Sequence, residues 1–407
     1  MSKWEMVKLE DVVNEAITGE WGTECIDDEI GTKVLRTTNF TNSGNINYDS
    51  VVVRNIPFNK LEQKKLKKDD IILEKSGGSD NQPVGRVVFF KGESDDIFLC
   101  NNFTQILRID QCIAYPRYVF LYLFCLHQNG TTELLQNKTT GIRNLQTKRY
   151  MILEIPLPPL ETQQKIADVL DRASALIEKR KAQIEKLDLL IKSQFIEMFG
   201  DPVTNPKGWE ICKLENICSL ITKGASPKWQ GFSYTDDMTQ TLFVTSENVR
   251  EGYLDVAQRK YIEDGFNEKQ KRSMLQKGDF LINIVGASIG RAAQYELSSK
   301  ANINQAVALV RLDIAADMND KYLLLYLNLP KALKMYEEMQ VSVARANLSL
   351  QNIADLEILR PPLTLQNQFA DFVNQVEAQK SLLQQSLEKL ELNYKSLMQK
   401  CFRGDLF

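Results

Sequence analysis

Residues 154–170 read EIPLPPLETQQKIADVL, and residues 357–373 read EILRPPLTLQNQFADFV. In each, a short apolar run meets a proline pair and an amphipathic helical pattern follows at once. Proline removes a ladder donor and fixes φ, so Pro158-Pro159 and Pro361-Pro362 end a strand. Thr162 and Thr364 then stand where an N-cap is expected. The two stretches lie 203 positions apart in a chain of 407 residues, so the unit recurs at half-length.

The recurrence extends outward from the junction. WEMVKLEDV at Trp4 answers WEICKLENI at Trp209, LKKDDIIL at Leu66 answers LQKGDFLI at Leu275, and YVFLYL at Tyr118 answers YLLLYL at Tyr322. NNFTQILRI at Asn101 matches NINQAVALVRL at Asn302, and GIRNLQTKRYMILEIPLPPL matches ARANLSLQNIADLEILRPPL. Chance does not preserve order over such blocks; one unit is written twice. The first part of each copy is mixed, with β-branched runs such as YDSVVV, RVVFF and LFVTS between turn residues, and a short helix at 118–126 or 321–327. The second part is helix alone. The predicted fold is two tandem α/β (α+β) domains, at 1–157 and 201–360, each followed by a long helix, at 158–200 and 361–407.

Both helices carry a sustained 3.5-residue period. In the first it runs through Ile166, Leu170, Ile177, Ile184, Leu187 and Ile191. In the second it runs through Phe369, Val373, Val376, Leu383, Leu387, Leu390, Tyr394 and Leu397. Each ladder is about 50 Å long at 1.5 Å per residue. This predicts an antiparallel coiled coil with pseudo-two-fold symmetry. Arg180 and Lys380 interrupt the seam, and their long stems are expected to snorkel outward.

Composition narrows the function. Hydrophobic residues make up 43% and charged residues 25%, ordinary for a globular chain. No apolar run reaches membrane-span length, and MSKWEMVKLEDVV lacks a signal-peptide core. Seven cysteines form no CxxC pair, which predicts reduced thiols and a cytoplasmic location. Residues 1–160 hold 19 basic and 21 acidic side chains, residues 200–363 hold 19 and 20, and the net charge is −3. Any nucleic-acid-binding face must therefore be local. There is no GxxxxGK[ST] loop, no methyl-donor glycine fingerprint and no Asn/Asp-Pro-Pro-aromatic motif. The single histidine, His127, suits a helix C-terminus better than catalysis, and no Cys cluster assists it. Asp69-Asp70 and Asp95-Asp96 read as solvated turns. The chain alone is expected to be non-catalytic, with no metal or cofactor.

Two similar binding units joined by rods suit duplex DNA, whose half-sites one turn apart lie about 34–36 Å from each other. Because the copies have diverged, an asymmetric, split target is expected. Contacts should come from polar or basic loop residues. In the first copy these are Arg36, Thr37, Thr38 and Asn39; Lys75, Ser76, Ser79, Asn81, Gln82 and Arg86; and Lys138, Thr139, Arg143 and Asn144. In the second they are Lys223, Ser226, Lys228 and Trp229; Thr245, Ser246 and Asn248; Ser288 and Arg291; and Arg345 and Asn347. The rival reading is a duplicated adaptor that binds protein.

The junctions PLPPLETQQKIADVLDRASALIEKRKAQIEKLDLLIKSQFIEMFGDP and RPPLTLQNQFADFVNQV, the openings WEMVKLEDV and WEICKLENI, GDFLINIVGASIGRAA and LMQKCFRGDLF carry a resemblance. Over its full length the chain resembles the specificity (S) subunit of a Type I restriction–modification enzyme. That resemblance implies two target-recognition domains on double-stranded DNA, each reading half of a bipartite site. It also implies two methyltransferase (M) subunits docked on the helices, with restriction (R) subunits beyond them. Adenine N6 methylation and ATP-driven cleavage would then belong to those partners, with S-adenosylmethionine, ATP and Mg as their cofactors.

Overall fold

The computed structural model describes residues 3–25, 31–79, 81–92, 96–139, 142–329 and 347–407. The chain divides into two compact units: Met1–Lys181 with Gln385–Phe407, and Ala182–Gln384. Each unit holds one globular part and a portion of both long helices, Leu160–Phe199 and Leu363–Arg403.

Unit 1 contains β1 (Met6–Lys8), β2 (Val13–Thr18), β3 (Thr23–Glu24), β4 (Thr32–Leu35), β5 (Val52–Asn55), β6 (Ile71–Glu74), β7 (Ser76–Gly78), β8 (Val87–Phe89), β9 (Phe98–Cys100), β10 (Thr104–Ile109), β11 (Gln136–Thr139), β12 (Ile142–Leu145) and β13 (Glu154–Pro156). Its core sheet is antiparallel in the order β2-β10-β6-β8, and a second sheet runs β3-β5-β4-β9 with β4 and β9 parallel. Unit 2 contains β14 (Glu210–Lys213), β15 (Cys218–Lys223), β16 (Tyr234–Thr235), β17 (Thr241–Val244), β18 (Tyr261–Ile262), β19 (Phe280–Asn283), β20 (Ala292–Gln294), β21 (Ala301–Ile303), β22 (Val307–Leu312) and β23 (Glu357–Arg360). Its sheets run β15-β22-β19-β20 and β16-β18-β17-β21, again with one parallel pair, β17 and β21. The pairs β1-β13 and β14-β23 also correspond. Only the small sheet β11-β12-β7 lacks a full counterpart; among the described residues unit 2 has a single bridge there, Val285 to Asn347.

β6 is buried on both faces, which explains its unbroken apolar run. Ile71 and Leu73 pack with Tyr118 and Phe120 of the helix Pro116–Gln128, while Ile72 faces Leu35 and Phe98 of the second sheet. The turn before it corrects the reading of Asp69-Asp70 as solvated surface. Asp70 is 1% exposed, accepts from Arg108 Nε and Nη2 at 2.9 Å each, and caps the Lys67 N–H at 2.7 Å. Asp279 repeats this with Arg311 at 2.7 and 2.8 Å and the Gln276 N–H at 2.6 Å. A buried carboxylate persists here because a guanidinium and a backbone donor satisfy it.

The proline junctions deliver helices earlier than expected. The helices begin at Leu160 and Leu363, so Thr162 and Thr364 lie inside the first turn and are not N-caps. A glutamine does the tethering instead. Gln163 accepts the Tyr115 N–H at 2.8 Å and donates to Pro158 O at 2.8 Å. Gln366 accepts the Asn319 N–H and donates to Pro361 O, both also at 2.8 Å. Both glutamines are fully buried, and each ties the long helix to the start of an earlier helix of the same copy, Pro116–Gln128 or Asp320–Leu327.

In unit 1 the early residues Ile166, Ala167 and Leu170 share a core with Met398, Cys401 and Phe402 from the far end of the second helix. In unit 2 the late residues Phe195 and Phe199 pack with Phe369 and Val373 from its beginning. The pairing is antiparallel. Ile177, Leu187, Val376 and Leu387 are buried along it, and Ile184, Ile191, Leu383, Leu390, Tyr394 and Leu397 are half-buried. Lys380 reaches Asp188 of the opposite helix at 2.5 Å, a short cross-seam ion pair.

Candidate nucleic-acid interface

In each unit the candidate residues gather at one end of the core sheet, on loops from that sheet and from its neighbours. In unit 1, β2 ends at Thr18 opposite Gln105, and β6 ends at Glu74 opposite Thr104. Lys75 Nζ donates to Thr18 Oγ1 at 3.1 Å, and its burial pushes the ammonium below its usual pKa. Thr37, Thr38, Ser79, Gln82 and Arg86 line one depression with Gly77 and Gly78. Ser76 Oγ donates to Asn144 Oδ1 at 2.5 Å, and Arg143 pairs with Gly78, which brings the β11-β12 hairpin to the same place. Asn81 is exposed on the same loop as Gln82. In unit 2, Lys223 ends β15 opposite Ala308, and Asn283 ends β19 opposite Val307. Ser246 and Ser288 both hydrogen-bond Asn283, and Asn347 bridges to Val285.

Several candidates face inward, which corrects the expectation that they present themselves to DNA. Asn39 is fully buried: its Oδ1 accepts the Arg36 N–H at 2.8 Å and its amide donates to Asn47 O at 3.0 Å. Asn248 does the same work, accepting the Thr245 N–H at 2.9 Å and donating to Asp255 O at 2.9 Å. Thr245, 6% exposed, gives its hydroxyl to the same Asn248 oxygen. Tight turns leave main-chain groups that a short amide side chain satisfies, so Asn39, Thr245 and Asn248 build loops.

Arg86 and Arg291 occupy equivalent positions yet differ in fate. Glu74 N–H bonds Arg86 O as Asn283 N–H bonds Arg291 O. Arg86 is 8% exposed; it meets Glu74 through Nε and Nη2 at 2.8 Å each, and donates to Phe40 O at 3.1 Å and Thr37 O at 3.0 Å. In unit 2 the residue facing the arginine is Asn283, whose amide donates to Ser246 O at 3.0 Å and Val249 O at 3.4 Å. It brackets the equivalent loop by itself, and Arg291 lies exposed. The carboxylate at position 74 decides which arginine is drawn in. Neither Glu74 nor Asn283 was among the expected site residues. Their signal is a polar residue closing a buried apolar strand, IILE and FLIN.

Ser79, Gln82, Lys223, Lys228, Trp229, Arg291 and Asn347 are exposed, while Arg36, Thr37, Lys75, Ser76, Ser226, Ser246 and Ser288 are half-buried. Lys138 and Thr139 belong to β11, but their side chains lie outside the described residues, as does Arg345 altogether. His127 sits in the last turn of Pro116–Gln128 with Nδ1 2.8 Å from Thr132 Oγ1; burial, then the charge of Arg86, lowers its pKa. Among the described residues no group of three or more His, Cys, Asp or Glu could hold a metal. Among them, no helix is long and apolar enough to cross a membrane.

The model of the Type I restriction modification DNA specificity domain matches residues 1–186 and again 206–392. The chain is 22% identical over 398 residues to the Type I restriction enzyme EcoKI specificity subunit of Escherichia coli strain K12, covering 92% of this chain and 82% of that one. It is 23% identical to the MjaVIII specificity subunit of Methanocaldococcus jannaschii, covering 70% of each. Among solved structures, the S subunit of a Type I restriction–modification system from M. genitalium aligns over 98% of this chain and 96% of its own, with TM-score 0.53 and 15% identity. A chain from a study of complex assembly and conformational transition in the type I R-M system aligns over 99% and 98%, with TM-score 0.58 and 18% identity. With the family's domain found twice and the same sheet order built twice, this chain belongs to the specificity subunits of Type I restriction–modification enzymes.

Proposed function

We propose that the chain is the non-catalytic sequence reader of its complex, binding a bipartite, asymmetric site on double-stranded DNA. Residues 1–157 take one half-site and residues 201–360 the other. The paired helices dock two methyltransferase subunits, and restriction subunits join through them. Adenine N6 methylation and ATP-dependent cleavage fall to those partners, with S-adenosylmethionine, ATP and Mg. One observation carries the reading: the same sheet end bears loops in both units, but its exposed side chains differ, Gln82 and Ser79 in one, Arg291 and Trp229 in the other. A shared scaffold with divergent polar loops is what two different half-sites require. The test is a genome-wide N6-methyladenine map with the gene intact and deleted. Loss of one split motif on deletion supports the proposal; an unchanged map in cells with active methyltransferase partners removes it.

A further inference from the structure

Gly19 and Gly224 are equivalent: a Cβ on Gly19 would lie 2.2 Å from Asn101 O, and one on Gly224 1.8 Å from Ile303 O. After them the two units part. Unit 1 reaches β3 through residues 20–22 alone, and its Trp21 ring is covered by the Arg54 guanidinium at 4.4 Å. Unit 2 reaches β16 through residues 225–233, which include the turn Pro227–Gln230. This insertion is pinned at both ends, because Ala225 and Phe232 pack on Phe243, Ile262 and Phe266. Phe232 meets Phe266 edge-on at 5.7 Å and donates its N–H to Pro227 O at 3.0 Å; Lys269 Nζ donates to Gln230 O at 3.0 Å. What the knob presents is Trp229, 88% exposed, whereas Trp4, Trp21 and Trp209 are half-buried. Lys223 and Lys228, also exposed, make no ion pair among the described residues.

We infer that Trp229 is an aromatic wedge that stacks against a base step of the half-site taken by unit 2, a contact unit 1 lacks; this rests on the proposed DNA-reading function. The backbone that carries the indole is pinned, so contact orders little more than its two side-chain torsions, and every base offers a stacking face. The neighbouring ammonium groups favour a phosphate polymer over a protein surface. The second half-site is thereby read partly through how easily its steps unstack.

The test uses the full chain assembled with its methyltransferase subunits and a duplex carrying the mapped motif. Trp229→Ala raises Kd about tenfold with the salt dependence unchanged, and Trp229→Phe keeps most of the affinity. Lys228→Ala instead flattens the log–log salt slope by about one. Acrylamide quenching of the Trp229 emission, taken as the difference between the parent and Trp229→Phe, falls when duplex is added. An unaltered melting curve for Trp229→Ala excludes misfolding as the cause. Unchanged affinity with unchanged quenching overturns the wedge, as does loss of subunit assembly with DNA affinity retained. A parent complex that binds the motif duplex no better than a scrambled one defeats the DNA-reading function itself, a result distinct from a binding parent indifferent to Trp229→Ala.

Discussion

Replacing Arg86 with leucine strands Glu74, whose side chain is 2% exposed and whose two oxygens each accept from Arg86 at 2.8 Å. Breaking a buried pair from one side costs roughly 3–5 kcal/mol, because the remaining charge has neither water nor partner. Phe40 O and Thr37 O lose their donors as well. In a unit of this size each kcal/mol moves the melting temperature by about 2–4 °C, so Arg86→Leu should lower it by roughly 6–20 °C. Unit 2 supplies the rescue, since Asn283 spans the equivalent carbonyls with a neutral amide. The double variant Arg86→Leu with Glu74→Asn should therefore recover to within about 1 kcal/mol of the parent. Scanning calorimetry of parent, single and double variants measures this. A double variant no more stable than Arg86→Leu would refute the claim that the stranded carboxylate is the source of the cost.

Phe199→Ala removes a fully buried ring packed on Tyr322 at 4.7 Å and Phe369 at 5.5 Å, and should cost roughly 3–5 kcal/mol in chemical denaturation. Gln163→Ala and Gln366→Ala each leave a half-buried N–H and a buried C=O without their side-chain partner and should cost about 1–3 kcal/mol apiece, additively, when their melting curves are compared. His127 has a pKa lowered by burial in the folded state, so the unfolded chain binds its proton more readily. Its stabilising effect is present above about pH 6.5 and is lost as pH falls from there towards the folded-state pKa. His127→Gln should flatten the melting-temperature profile between about pH 6.5 and 5, above the carboxylate range; a profile as steep as the parent's would refute this.

The duplication, the junctions and the long helices were legible because period and proline chemistry are local properties of a sequence. The seam was readable through Ile166 to Leu187, but Phe195 and Phe199 fell outside the strict 3.5 ladder. Near its end the first helix faces Tyr322 of the globular part as well as Phe369 of its partner, so its apolar stripe widens. The candidate site was legible only as a set of loops. Arg86 and Arg291 look alike in sequence, and what separates them is the residue across a hairpin, Glu74 or Asn283. Likewise Asn39 carries binding chemistry on paper but is consumed by main-chain groups of its own turn, and Asp70 reads as solvated but is consumed by Arg108 and the Lys67 N–H, partners that appear only once the fold is built. Side-chain direction is a tertiary property, and a charge pattern does not contain it.

Both brackets grip main-chain oxygens: Thr37 and Phe40 in one unit, Ser246 and Val249 in the other. A carbonyl is the same whichever side chain hangs beside it. Substitutions at the outward positions of these loops therefore leave the anchorage untouched, and the stability of the domain is decoupled from what its loops display. A lineage can explore new recognition sequences by point change without first evolving compensating stabilisation, and the tolerance belongs to the backbone rather than to any one residue.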